Sequence, residues 1–264
     1  MNTLRRIAGA MKKYLFRDTA YFFLYCFRYC QPGYRHECKF YSDAEFAELL
    51  RQGKSIIRLG DGEIGLLHYL PIHYQKWSPA IRNDFLTIIR SYDKNSPYML
   101  LIPLFVNYSN AELKRIGKRG VWLPLKVSYE MLFNKGAKYF DAHAFYKDGG
   151  FEKLILPSFG TKKIIVVTNE KTIASLRTSS FNVRVRDYVA APAENAYEAG
   201  GHIEESIMDI IRKSGVPASE FVVLFSAGLA KTIIPRLAAH ECQALDIGAG
   251  LESYATGISV EYKI

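Results

Sequence analysis

An alternation of short apolar runs with helix-like stretches limits most strongly what this chain can fold into. Six runs read as strands: SIIRL (55–59), YMLLIP (98–103), KIIVVT (163–168), FNVRVR (181–186), FVVLFS (221–226) and QALDI (243–247). Between them stand SPAIRNDFLTIIRSY, NAELKRIGKR, NEKTIASLRTS, HIEESIMDIIRKSG and GLAKTIIPRLAAHE, which read as helices. Near-continuous Ile, Val, Leu and Phe, without polar alternation, mark strands covered on both faces. Parallel neighbours need a crossover of about a dozen residues, usually a helix. The pattern therefore predicts an α/β fold, a Rossmann-like and mostly parallel sheet flanked by helices. Ser42, with Glu45 three residues on, has the form of a capping box and predicts a helix over 43–52 that stops at Gly53.

With 264 residues, 49% of them hydrophobic, the chain can bury a core for one such domain. No linker, low-complexity tract or fixed-period repeat interrupts it. The organisation read from the sequence is a basic, aromatic N-terminal helical segment over 1–41, then a Rossmann-like domain over 42–264. The first 36 residues carry Arg5, Arg6, Lys12, Lys13, Arg17, Arg28 and Arg35 against the single acid Asp18. Tyr21, Phe22, Phe23, Leu24, Tyr25, Phe27 and Tyr29 lie among them. Only nine uncharged residues separate Asp18 from Arg28, where crossing a bilayer takes about 20. The segment is thus read as neither a signal peptide nor a membrane span. Two roles stay open for it, lying at a headgroup boundary or packing on the core.

A net charge of +9 favours an anionic partner, whether nucleotide phosphates, nucleic acid or an acidic membrane surface. No nucleic-acid reader motif accompanies the charge, so nucleic acid is not expected. The four cysteines, Cys26, Cys30, Cys38 and Cys242, give no disulfide framework in a chain of this length. With no export signal, a reducing cytoplasmic location is expected, at most peripheral to the inner face of the plasma membrane. Cys26, Cys30, Cys38 and His36 have a weak likeness to a zinc set, but a fourth ligand is unclear and the setting is apolar, so ordinary buried thiols are the preferred reading.

In open α/β sheets, ligands bind outside the carboxyl ends of the strands. Three strand ends here carry polar or glycine-rich turns: LGDGE, SAGLAKT and DIGAG. ALDIGAGLE resembles the first motif of adenosylmethionine-dependent methyltransferases, but that motif opens a sheet and this one closes the strand pattern. In SAGLAKT, a strand turns through glycine into a helix carrying Lys231, a geometry that offers free N–H groups to phosphate. It lacks Walker spacing. LGDGE is more specific. Asp61 and Glu63, one residue apart at a strand end, have the hard oxygen ligands that suit Mg²⁺ or Mn²⁺ bridging to a diphosphate. Gly62 permits a tight backbone and Gly60 an open approach, while Arg58 stands ready for the diphosphate or a carboxylate. Such a pair suits glycosyl transfer from a nucleotide sugar, where the departing diphosphate needs a cation. A plain turn with solvated acids is the alternative.

These motifs together resemble the bacterial glycosyltransferases of the GT-D fold type, formerly a domain of unknown function. The matching stretches are IIRLGDGE (56–63), IIVVTNEKTI (164–173), APAENAY (191–197) and FVVLFSAGLAKTIIPRLAAHECQALDIG (221–248), and the likeness extends over about 42–254. The resemblance implies a Rossmann-like transferase that uses a nucleotide sugar, a UDP-sugar first, with Mn²⁺ or Mg²⁺ and a glycan or lipid-linked glycan acceptor of the bacterial surface. Carried onto this chain, it makes Asp61 and Glu63 the metal-site residues, with Arg58, Gly60 and Gly62 shaping their loop. Ser226, Gly228 and Lys231 would face nucleotide or phosphate, and Asn195 is either a site residue or a helix cap. Asp246 and Asp141 are the candidates for a general base, and His143 and Tyr146 for the acceptor side. The chain departs from the family at Ala249, where members often carry a histidine after D-I-G. That leaves a second reading, a non-catalytic nucleotide- or glycan-binding protein on the same fold.

Overall fold

The computed structural model describes residues 8–251 apart from 10, 13, 16, 147, 148 and 249. Ala249 and the side chain of Tyr146 lie outside the described residues. The strands are β1 (Lys39–Phe40), β2 (Ser55–Arg58), β3 (Tyr98–Ile102), β4 (Lys138–Asp141), β5 (Lys163–Thr168), β6 (Val185–Ala190), β7 (Phe221–Ser226) and β8 (Gln243–Asp246). The α-helices are α1 (Thr19–Tyr29), α2 (Asp43–Arg51), α3 (Asp61–Leu67), α4 (Pro79–Arg90), α5 (Asn110–Arg115), α6 (Arg119–Leu132), α7 (Glu170–Arg177), α8 (Gly200–Ser214) and α9 (Ile234–Ala239). They gather into two compact units. One comprises residues up to Phe40, Leu59–Asn95 and Ile102–Asp141; the other comprises Tyr41–Arg58, Ser96–Leu101 and the chain from Ala142 onward.

The second unit holds a parallel sheet in the order β3-β2-β8-β7-β5-β6. Its inner strands are apolar on both faces, as their composition requires: β3 and β8 are buried throughout, and β5 and β7 are buried in all but one residue. Ile56 pairs with Leu245 and Leu224 with Leu245, so β8 lies in register between β2 and β7. Helix α8 covers the sheet with Ile203, Ile207 and Ile211 at four-residue spacing, and stops at Gly215, whose φ of 71° only glycine adopts at little cost. The box predicted at Ser42 and Glu45 caps α2, with each group satisfying the other's backbone N–H.

One strand falls elsewhere than expected. Residues 180–184 form a 3₁₀ turn, and β6 begins only at Val185. The alternation of F-N-V-R-V-R misled because it ignores where the neighbour is: Val183 is 91% exposed, and Val189 is the residue of the strand that is buried. As the edge of the sheet, β6 carries Arg186 and Asp187, charges that discourage pairing with another chain.

The first unit is a helical cluster around α6, with α1, α3, α4 and α5 against it and the parallel pair β1–β4 beside them. The stretch 110–119 is not one helix, since α5 ends at Arg115 and α6 starts at Arg119. In α1, Tyr21, Phe22, Tyr25 and Tyr29 are buried and share a cluster with Tyr14, Tyr34, Leu123 and Val127. Of the two roles open for the N-terminal segment, packing on the core is thus filled by this face. Phe23 and Phe27 stand outward at 61% and 58% exposure. No helix among the described residues is long and apolar enough to cross a membrane. All four cysteines are free, and no group of three or more His, Cys, Asp or Glu among the described residues is placed to hold a metal ion. His36 Nε2 lies 2.9 Å from the Lys126 carbonyl.

Candidate functional site

In the first unit, the Gly-Asp-Gly-Glu turn opens α3. Gly60 is the extended residue before the helix, and Glu63 folds back so that its Oε2 accepts the Gly60 N–H at 2.8 Å. A carboxylate in the first turn also complements the helix dipole. Glu63 is 5% exposed, whereas Asp61 is exposed to solvent. Gly62 is closely packed: a Cβ there would stand 3.2 Å from Ile72 Cγ2, so that side chain would have to give by a few tenths of an ångström. The two acids therefore differ in kind. Asp61 is an exposed carboxylate, and Glu63 is buried with one oxygen bound to the backbone.

In the second unit, the carboxyl ends of β2, β7 and β8 bring Arg58, Ser226 and Asp246 together on the central strands. The turn after β7 supplies Lys231. Asp246 Oδ2 accepts from the Arg58 N–H at 3.0 Å and pairs with Lys231 Nζ at 2.9 Å, while its Oδ1 accepts from the Gly248 N–H at 3.2 Å. Lys231 Nζ also donates to the Arg58 carbonyl at 2.7 Å. The pair thus grips both backbone groups of Arg58, whose own Nε donates to the Ala142 carbonyl at 3.1 Å. The Lys231 and Asp246 side chains are 7% and 5% exposed. Charges so deeply buried persist only when paired and hydrogen-bonded. The structure therefore directs Lys231 and Asp246, expected as a phosphate ligand and a base, to each other.

The remaining expected residues are dispersed. Ser226 ends β7, and its carbonyl accepts from Thr168 Oγ1 at 3.2 Å. Gly228 starts the following 3₁₀ turn with a φ of 51°. Asn195 is not a helix cap: the residue before α8 is Ala199, and Asn195 sits in a turn with a φ of 54°, a conformation that asparagine tolerates better than most. Asp141, at the end of β4, is 8% exposed and accepts a long 3.4 Å contact from the Leu104 N–H. His143 is half-buried. Sequence reasoning missed Arg17, Asp18, His68 and Arg82, which surround the far end of α3. No spacing rule marks them, because their partners are tens of residues away.

No protein-family model matches the chain, and no curated protein does. Solved structures do. A glycosyltransferase (DUF1792) from Streptococcus sanguinis superposes with a TM-score of 0.68 at 19% identity, over 86% of this chain and 88% of that one. A structure presenting the domain of unknown function 1792 as a distinct glycosyltransferase fold gives 0.61 at 17% identity, over 93% and 89%. A selenomethionine-substituted structure of the same domain gives 0.60 at 18%, over 93% and 89%. At these identities the likeness is one of fold, and it extends along most of the chain.

Proposed function

We propose that this chain is a glycosyltransferase that moves a sugar from a nucleotide-activated donor, a UDP-sugar first among the candidates, to a bacterial surface glycan. The observation that carries the reading is the fold shared with a glycosyltransferase over 86% of the chain, together with an exposed Asp61 and a backbone-anchored Glu63 opening a helix directly after a sheet strand. In this reading Asp61 and Glu63 together hold Mn²⁺ or Mg²⁺. Two carboxylates do not make a resident metal cage, but they fit a cation that arrives with phosphate oxygens already in its shell. Such a cation neutralises the charge that develops on the departing diphosphate. The chain's own contribution is to hold the acids where that charge appears.

The test is a thermal-shift screen of UDP-, GDP-, CMP- and dTDP-sugars, with and without Mn²⁺ or Mg²⁺. Binding at a hundredfold excess over Kd is expected to raise the Tm by about 5–10 °C, for one nucleotide and only with metal. No shift with any donor at millimolar concentration would turn the reading toward a binding protein for glycans.

We further propose that the acceptor is presented at the cytoplasmic face of a membrane and that the outward face of α1 meets it. Phe23 and Phe27 are four residues apart on that face, and an amphipathic helix lays such side chains at the headgroup boundary. Phe23→Ser/Phe27→Ser is expected to lower partitioning onto phosphatidylglycerol-containing vesicles at least about tenfold, with turnover of a soluble acceptor unchanged. Equal partitioning of variant and wild type in a vesicle-sedimentation assay would refute this surface.

A further inference from the structure

Helix α3 has only seven residues, too few to be stable by itself, yet it carries both acids at its start. What holds it is visible at its other end. The Leu66 carbonyl accepts from Trp77 Nε1 at 3.1 Å, and the Leu67 carbonyl from Arg82 Nε at 2.9 Å. The Tyr69 carbonyl, beyond the helix, accepts from Arg17 Nη1 at 2.8 Å. His68, the residue that ends the helix, is 1% exposed. Its Nδ1 is 2.8 Å from Asp18 Oδ2, and its Nε2 is 2.7 Å from Ser128 Oγ. The Tyr21 ring stacks on the imidazole at 3.5 Å between centroids.

Asp18 is shared between two helices, since its Oδ1 also accepts the Tyr21 N–H at the start of α1. Although burial opposes it, the hydrogen bonds from His68 and the Tyr21 N–H keep this carboxyl below its ordinary pKa, so it is ionised at neutral pH. Serine, histidine and aspartate in this order resemble a hydrolase triad, but Ser128 is fully buried and no substrate reaches it. The arrangement is a brace.

We infer that Arg17 and Asp18 are positioning residues of the proposed transferase: the N-terminal segment, through the Tyr69 carbonyl and His68, holds the carboxyl end of α3 and thereby fixes Asp61 and Glu63. The inference rests on the reading above for its functional meaning, but its structural content is tested without any substrate. Hydrogen exchange of the full chain, followed by mass spectrometry, compares wild type, Asp18→Asn, Arg17→Gln and, as a control on the outward face of the same segment, Phe23→Ser. Asn at position 18 can still cap α1 but presents no charge to His68.

Amides of 61–70 are expected to exchange about tenfold or more faster in Asp18→Asn, faster also in Arg17→Gln, and unchanged in Phe23→Ser. Those of β5 and β7 should keep wild-type rates in all three. In turnover, the metal concentration giving half-maximal rate should rise in Asp18→Asn more than kcat falls. Unaltered protection of 61–70 in folded Asp18→Asn and Arg17→Gln overturns the inference, as does a loss spread equally over β5 and β7. If Asp18→Asn does not fold, Arg17→Gln decides alone. A wild type that binds no metal–nucleotide pair would refute the transferase reading and leave the exchange result to judge the brace.

Discussion

Asp61→Asn is expected to lower metal-dependent transfer by about 10²–10³-fold while leaving the Tm within about 2 °C of wild type. The first figure is the usual cost of removing one group that stabilises charge at the reacting centre. The second follows from exposure, since surface substitutions away from special features change stability by about 0.5 kcal/mol or less. Glu63→Gln should behave differently because Glu63 does two jobs. Its amide oxygen can still accept the Gly60 N–H, yet it offers a cation no charge, so activity falls with a small loss of stability. Steady-state rates against Mn²⁺ concentration, beside thermal melts, separate the two. Full activity with unchanged metal dependence in both variants would remove the acid pair from the mechanism.

The second large effect is on stability. Lys231→Met strands the Asp246 carboxylate in a buried site and is expected to cost about 3–5 kcal/mol, a fall in Tm of roughly 6–20 °C. Lys231→Met/Asp246→Asn should recover at least half of that. It leaves no charge behind, and the asparagine oxygen can still accept from the Arg58 N–H. Denaturant melts of the three proteins measure this directly. Were Lys231 a phosphate ligand instead, the single variant would lose nucleotide binding at nearly unchanged stability, and that outcome would defeat the assignment of the pair as a clamp on β2.

How far the sequence spoke depended on how local the physics was. Strands β5 and β7 coincide with KIIVVT and FVVLFS because a run buried on both faces needs no knowledge of its neighbours. The capping box at Ser42 is equally local. Helix α6 was hidden by Pro124 in its interior, and α3 by the two glycines flanking Asp61, residues that read as a turn. β1 is two residues long and carries no pattern at all. The position of Asp61 and Glu63 just past the end of β2 was legible because strand and acids are neighbours in the chain. Lys231 and Asp246 were legible as residues but not as a pair: Lys231 meets the Arg58 carbonyl across 173 positions. Asp18 and His68, 50 apart, meet only once the helices around α6 have packed.

The position of β8 also governs how the protein is made. β8 is the last strand among the described residues, yet it sits between β2 and β7, and the Ala244 N–H donates to Ser55 Oγ across 189 residues. At ribosomal rates of about 5–20 residues per second, β2 waits roughly 10–40 s for this partner. Until then one side of an apolar strand, Ser55–Arg58, stands unpaired in the nascent chain. Slow, late closure of the sheet's centre is the expected kinetic signature, and chaperone dependence during synthesis is its cellular counterpart.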